Sequence, residues 1–181
     1  MADQTPIPAD VLARASRVRL MIFDVDGILT DGSLHFGPDG EALKTFNVLD
    51  GHGIKLLQQS GVATAIISAR SSPIVARRAA DLGIQHLQQG VHDKRAAFEQ
   101  LLAECGAAFE ACGFIGDDVI DLPILTRVGF AASVPNGHAE VQKRVHYVTR
   151  ATGGRGAARE ICDLILRAQG NYEAALAPYL A

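Results

Sequence analysis

Apolar residues along the chain fall into short continuous runs, separated by longer stretches in which apolar and polar positions mix at helical spacing. Val18–Val25 is such a run, rich in β-formers, and predicts a buried strand. Gly61–Ser68 predicts a second strand, Gln85–Leu87 a weaker third, Cys112–Ile115 a fourth, Gly129–Ala132 a fifth and His146–Val148 a sixth. Helices are expected between them. Asp50 is placed to cap a helix running to Gln59, with Gly61 beyond its end. Ser72 followed by Pro73 fits an N-cap with proline at the first helical position, and that helix should end near Gly83. Asp93 should cap a helix through Glu104, a short helix should follow Asp118, and a last one should run from about Gly156 to Gln169. Strands alternating with helices predict a mainly parallel sheet covered on both faces.

One stretch breaks this rhythm. Between Ser33 and Val48 the chain reads Leu34-His-Phe, then Gly37-Pro-Asp-Gly, then Ala42-Leu-Lys-Thr-Phe. Two short β-runs around a Gly/Pro/Asp turn predict a β-hairpin, leaving directly after the first strand. Ligands of open parallel sheets bind beyond the carboxyl ends of the strands, so the hairpin should stand beside the site.

Composition narrows the class. The 181 residues are expected to form one domain over residues 1–181, with 48% hydrophobic and 20% charged residues, which excludes a disordered chain. The net charge of -3 argues against nucleic acid or an anionic membrane as the main partner, but not against a small anionic substrate. Cys105, Cys112 and Cys162 lack paired metal or redox spacing and read as reduced thiols. The first residues lack the basic and apolar regions of a secretory signal, and no apolar run approaches the ~18–20 residues of a membrane helix. A soluble, cytoplasmic protein is expected.

The chemistry lies at the strand ends. The first strand runs into Asp24-Val-Asp-Gly-Ile-Leu-Thr-Asp31, which should put the Asp24 and Asp26 carboxylates on one side of the sheet's carboxyl edge. Like charges that close need a shared proton or a cation, and a hard ion such as Mg²⁺ is the ordinary solution. The fourth strand likewise runs into Gly116-Asp-Asp-Val-Ile-Asp121, where Asp118 and Asp121 are three apart at a helix start. Ser68 ends the second strand, and Lys94 opens a helix, where a cation opposes the helix dipole. Nucleophilic carboxylate, second acid, metal ligands, hydroxyl and ammonium together are the equipment of phosphoryl transfer.

In this order and spacing, residues from about 18 to 135 resemble the haloacid dehalogenase-like phosphohydrolase superfamily. The resemblance implies that Asp24 is the nucleophile and Asp26 the general acid and then base. It implies that Asp24, Asp26 (through its carbonyl) and Asp117 hold Mg²⁺, that Asp118 and Asp121 support Asp117 through water or Lys94, and that Ser68 and Lys94 hold phosphoryl oxygens. Close relatives read Thr-Gly-Arg where this chain has Ser68-Ala-Arg70. There is no room for the large cap insertions of the superfamily. The expected architecture is therefore α/β: a Rossmann-like, capless three-layer sandwich with a mainly parallel sheet and a β-hairpin after the first strand.

Phe46-Asn-Val-Leu-Asp-Gly51, Gly116-Asp-Asp-Val-Ile-Asp-Leu-Pro123 and Gly153-Gly-Arg-Gly-Ala-Ala-Arg-Glu160 narrow the resemblance. They are similar to the capless branch that removes phosphate from an eight-carbon sugar-acid phosphate in lipopolysaccharide precursor synthesis. That branch implies substrate contacts at Asp26, Asn47, Asp50, Gly51, Lys55, Arg70, Arg78 and Lys94, a Mg²⁺ cofactor and a homotetramer. The apolar Leu34, Phe36, Leu43 and Phe46 of the hairpin offer an interface. A nine-carbon, sialic-acid-type sugar phosphate is the alternative substrate. A non-catalytic receiver-like domain fits less well, because its acidic pair would precede the phosphoacceptor. A phosphomutase would need a cap.

Overall fold

The computed structural model describes residues 6–180. After helix α1 (Ala9–Ala15) comes strand β1 (Leu20–Phe23), then the hairpin β2 (His35–Gly37) and β3 (Gly40–Leu43). Helix α2 (Val48–Gln59), β4 (Ala63–Ile67), α3 (Pro73–Leu82), β5 (His86–Gln88) and α4 (Lys94–Cys105) follow. The remainder comprises β6 (Cys112–Ile115), α5 (Leu122–Leu125), β7 (Phe130–Ser133), α6 (Ala139–Gln142), β8 (Tyr147–Val148), α7 (Ala157–Ala168) and α8 (Tyr172–Leu176). No helix among the described residues is long and apolar enough to cross a membrane.

Six strands form one parallel sheet in the order β5-β4-β1-β6-β7-β8. From β1 the chain winds outward through β4 and β5, then returns to β6 on the other side of β1. The switch point between β1 and β6 is where an open parallel sheet forms its crevice. Alternation along the strands divides the core. Met21, Phe23, Ile66, Ile115 and Phe130 pack with α1, α2, α3 and α7. Leu20, Ile22, Ala65, Ile67 and Phe114 pack with α4, α5 and α6 on the opposite face. The expected three-layer α/β sandwich is what forms.

Several boundaries differ from expectation. β1 stops at Phe23, because the chain then winds into a turn in which Ile28, Leu29 and Thr30 all donate N–H to the Val25 carbonyl. The hairpin strands are shorter than the pattern suggested, and they meet at Pro38-Asp39. The cap of α2 is Asn47, whose side chain accepts the Leu49 N–H, and not Asp50. Asp50 lies inside the helix, and its carboxylate accepts N–H groups of Gly156 and Arg159 at the start of α7. A local capping rule cannot see a partner more than 100 residues away. Ser72 and Asp93 cap α3 and α4 as expected.

Candidate active site

The acidic ends of β1 and β6 meet across the switch point. Asp24 is buried and its N–H still donates to the Ile115 carbonyl of the neighbouring strand. Gly27 turns the chain with a φ of +91°, and a Cβ there would lie 2.1 Å from Asp117 Oδ2. Only glycine allows both the turn and the approach. The structure therefore brings Asp24 and Asp26 to one cavity by this turn, rather than by strand alternation as expected. The cavity holds about 150 Å³ and is lined by Asp24, Asp26, Ser68, Ala69, Arg70, Asp117, Asp118 and Ile120. A roomier hollow of about 480 Å³ lies around Ser16, Arg19 and Gln169, but no carboxylate lines it.

Lys94 sits beneath the cavity. Its position in the first turn of α4 aims the side chain inward, where it donates to Asp24 Oδ1 at 2.8 Å and Asp121 Oδ1 at 2.5 Å. Asp121 Oδ2 accepts the N–H groups of Asp117 and Asp118 at 3.0 and 3.2 Å. Asp118 and Asp121 thus form a reciprocal capping box at the turn that opens α5. Both Asp121 oxygens are engaged within the protein, so it acts as the fixed support of Lys94 and of the Asp117 loop.

Charge at the site is unbalanced. One ammonium faces Asp24, Asp117 and Asp121, whose carboxylate oxygens come within 4.8 Å of one another. Burial and then Asp121 push the Asp24 pKa well up, against the opposing pull of Lys94. Burial, Asp121 and Asp118 push Asp117 up to about 7. Burial alone would lower Lys94, but Asp24 and Asp121 hold it above its ordinary value. Carboxylates that resist ionisation so strongly, with oxygens so close, fit a divalent cation.

The hairpin contributes side chains that its sequence did not announce. Lys44, with a side chain only 1% exposed, is ion-paired with Asp26 and lies 3.0 Å from Glu41. Glu41 also accepts a hydrogen bond from Ser72 Oγ, and Arg70 approaches Asp26 at 3.7 Å and Glu41 at 3.9 Å. The sequence pattern of the hairpin points to its apolar positions. The only signal was two opposite charges three apart beside the expected site.

The remaining expected substrate contacts gather elsewhere. Asn47 caps α2 and reaches the Gly154 carbonyl, while Arg78 donates to the Asn47 carbonyl and stacks over Phe46. Gly51 is buried opposite the Arg78 guanidinium, and Lys55 is exposed on α2. Asp50, as described, holds the start of α7. None of these five lines the cavity of Asp24. Of the hairpin's apolar residues, Leu34, Phe36 and Leu43 are exposed, whereas Phe46 packs on the core.

Carboxylates converging at the switch point of such a sheet, with a buried lysine beneath them, define a haloacid dehalogenase-like hydrolase. A family model of that description matches residues 86–161. The 3-deoxy-D-manno-octulosonate 8-phosphate phosphatase of Escherichia coli is 47% identical over 170 residues, covering 94% of this chain and 90% of the relative. A crystal structure of a probable phosphatase from Pseudomonas syringae superposes with a TM-score of 0.94 at 52% identity, covering 96% of this chain and 99% of that one. The 3-deoxy-D-manno-octulosonate 8-phosphate phosphatase of Moraxella catarrhalis, solved with magnesium, phosphate and the sugar acid, superposes with a TM-score of 0.91 at 44% identity, over 94% and 98% of the two chains. The chain belongs to the 3-deoxy-D-manno-octulosonate 8-phosphate phosphatase family.

Proposed function

We propose that this protein is a Mg²⁺-dependent phosphatase that converts 3-deoxy-D-manno-octulosonate 8-phosphate to the free sugar acid and phosphate, in the cytoplasm, as a step towards lipopolysaccharide. The observation that carries the reading is the convergence of Asp24, Asp26, Ser68 and Asp117 on one cavity above Lys94.

An Asp24 carboxylate oxygen attacks the phosphorus, and the bond from phosphorus to the sugar oxygen breaks. Asp26 gives its proton to that oxygen. Water then attacks the aspartyl-phosphate, Asp26 takes the water proton, and the phosphorus bond to Asp24 breaks to release phosphate. Ser68 and Lys94 hold the phosphoryl oxygens. An ammonium has three donors, and two of those on Lys94 are committed to Asp24 and Asp121, which leaves one for the phosphoryl group. Asp24, Asp117 and the Asp26 carbonyl would hold Mg²⁺. When bound, the ion supplies positive charge that offsets the carboxylates and the transferring oxygens.

At about 150 Å³ the cavity is smaller than the ~300 Å³ at which small-molecule pockets begin, so it fits a phosphoryl group while the sugar acid stands at the mouth. There Arg70, 42% exposed, is placed to meet the sugar carboxylate. A neighbouring subunit of a homotetramer covers the mouth, using the exposed Leu34, Phe36 and Leu43 as interface.

Phosphate release from a panel of sugar phosphates, with Mg²⁺ and with chelator, tests the reading. It predicts a chelator-sensitive preference for the eight-carbon sugar-acid phosphate, abolished in Asp24→Asn. Preference for a nine-carbon acid would overturn the substrate and keep the chemistry. Turnover surviving in Asp24→Asn would overturn the nucleophile.

A further inference from the structure

Lys44 is out of place for a hairpin residue. The neighbouring Leu43 is 49% exposed, yet the Lys44 side chain is 1% exposed and held between two carboxylates, Asp26 and Glu41. Burying an ammonium is costly unless it is paired, and one of the two carboxylates that pair it, Asp26, lines the cavity of Asp24.

We propose that Lys44 is a positioning residue that holds the Asp26 carboxyl group in place for proton transfer. Resting on the proton-transfer role of Asp26 proposed above, the inference adds the hairpin to the catalytic apparatus. Asp26 needs such a hold. It follows the end of β1, in the turn before Gly27, and it is the more exposed of the two acids of its motif. Among the described residues no backbone N–H donates to its carboxylate, in contrast to Asp121 with two. Its orientation therefore depends on cations, and Lys44 is the closer of the two that reach it, Arg70 standing at 3.7 Å.

Glu41 makes the arrangement robust. Its carboxylate lies 3.0 Å from Lys44 Nζ and also accepts from Ser72 Oγ at the start of α3. Burial would raise the Glu41 pKa, but Ser72 and Lys44 hold it below the ordinary range, so it stays ionised. The ammonium is thus anchored to the main domain through Glu41 and Ser72, and keeps its place while the Asp26 carboxyl gives up and regains a proton. Arg70, far more exposed and at longer range from Asp26 and Glu41, is the cation better placed to turn to substrate.

A group acting through the proton donor matters most when the leaving oxygen needs a proton. The test compares leaving-group release in the first turnover, before water attacks the aspartyl-phosphate, from 3-deoxy-D-manno-octulosonate 8-phosphate, an alkyl phosphate, and from para-nitrophenyl phosphate, whose phenolate leaves without a proton. Lys44→Met should lower that first-turnover rate on the sugar phosphate by about 10- to 100-fold, up to the lower end of the ~10²–10⁴-fold span of general acid–base catalysis. On the aryl ester the first-turnover rate should change less than about threefold, since that step makes little use of the proton donor. Lys44→Arg, which keeps the charge, should recover most of the loss, and thermal unfolding of each variant checks that it is folded. Equal loss of the first-turnover rate on both substrates, or a change in KM alone, would overturn the inference. Asp26→Asn run in parallel separates the two readings: if its first-turnover rate too falls equally on both substrates, the proton-donor role of Asp26 is what fails.

Discussion

Gly27 and Asp117 are in contact across 90 residues of sequence: no atom heavier than hydrogen fits between the Gly27 Cα and the Asp117 carboxylate. The acidic segments after β1 and β6 are locked together by the absence of a side chain. Gly27→Ala should cost about 1–3 kcal/mol through the positive φ. By displacing Asp117 it should also lower activity about 100-fold, the scale of a 1 Å misplacement near reacting atoms. Urea unfolding and steady-state rates check this pair of effects, and a variant of full activity would show that the Asp117 position is not critical.

Lys94 neutralises two buried carboxylates. Lys94→Met should destabilise the chelated protein by about 3–5 kcal/mol at pH 8, the usual loss on orphaning a buried charge. At pH 5 the loss should shrink, because the orphaned Asp24, whose pKa burial already raises, can take up a proton. Denaturant midpoints at the two pH values measure it, and an equal loss at both would contradict the charge argument.

Stability should couple to metal and pH together. Asp117 titrates near 7 in the folded chain and near 3.9 when unfolded. Between those values the folded state holds a proton that the unfolded state lacks, so this contribution is complete below about pH 4 and is lost as pH rises towards 7. Asp24 shifts in the same direction. Saturating Mg²⁺ cancels the penalty by neutralising the carboxylates. The gap in melting temperature between Mg²⁺ and chelator should therefore widen from pH 5 to pH 8, by about 2–4 °C for each kcal/mol involved. A gap independent of pH would mean that the carboxylates are not where the ion acts.

The hairpin should govern assembly. Phe36 is 64% exposed, and Leu34 and Leu43 stand open near it. If the homotetramer proposed above forms, replacing Phe36 and Leu43 by serine should reduce the mass seen by light scattering towards one subunit, because interfaces lose cohesion when their central apolar anchors go. An unchanged mass, or a wild type already monomeric, would remove the hairpin from the interface.

The two acidic clusters were legible because their signal is local: an apolar run ending in closely spaced aspartates. The sheet was legible for the same reason, since Leu20 to Phe23 and Cys112 to Ile115 are continuous apolar runs. Lys94 could be placed by its order in the chain, and its grip on Asp121 followed only from the family resemblance. Lys44 and Glu41 stayed hidden because an alternating pattern shows which face a hairpin presents, not what it lies against. Asp50 departs from its expected capping role for a related reason. Near a helix start a local rule makes an aspartate the cap of its own helix, whereas this one reaches the start of α7.

Gly153 presses against the Gly27 carbonyl so closely that a Cβ would sit 1.7 Å away, and the Gly154 N–H donates to the Ile28 carbonyl at 2.8 Å. The loop after Asp24 is thereby braced from behind by residues translated more than 100 positions after it. Asp24 is made before its surroundings, which are finished only when the glycine loop and α7 follow. A nascent chain that stops short of them would carry the full acidic motif without the brace that shapes it, so competence for catalysis waits for the glycine loop and α7.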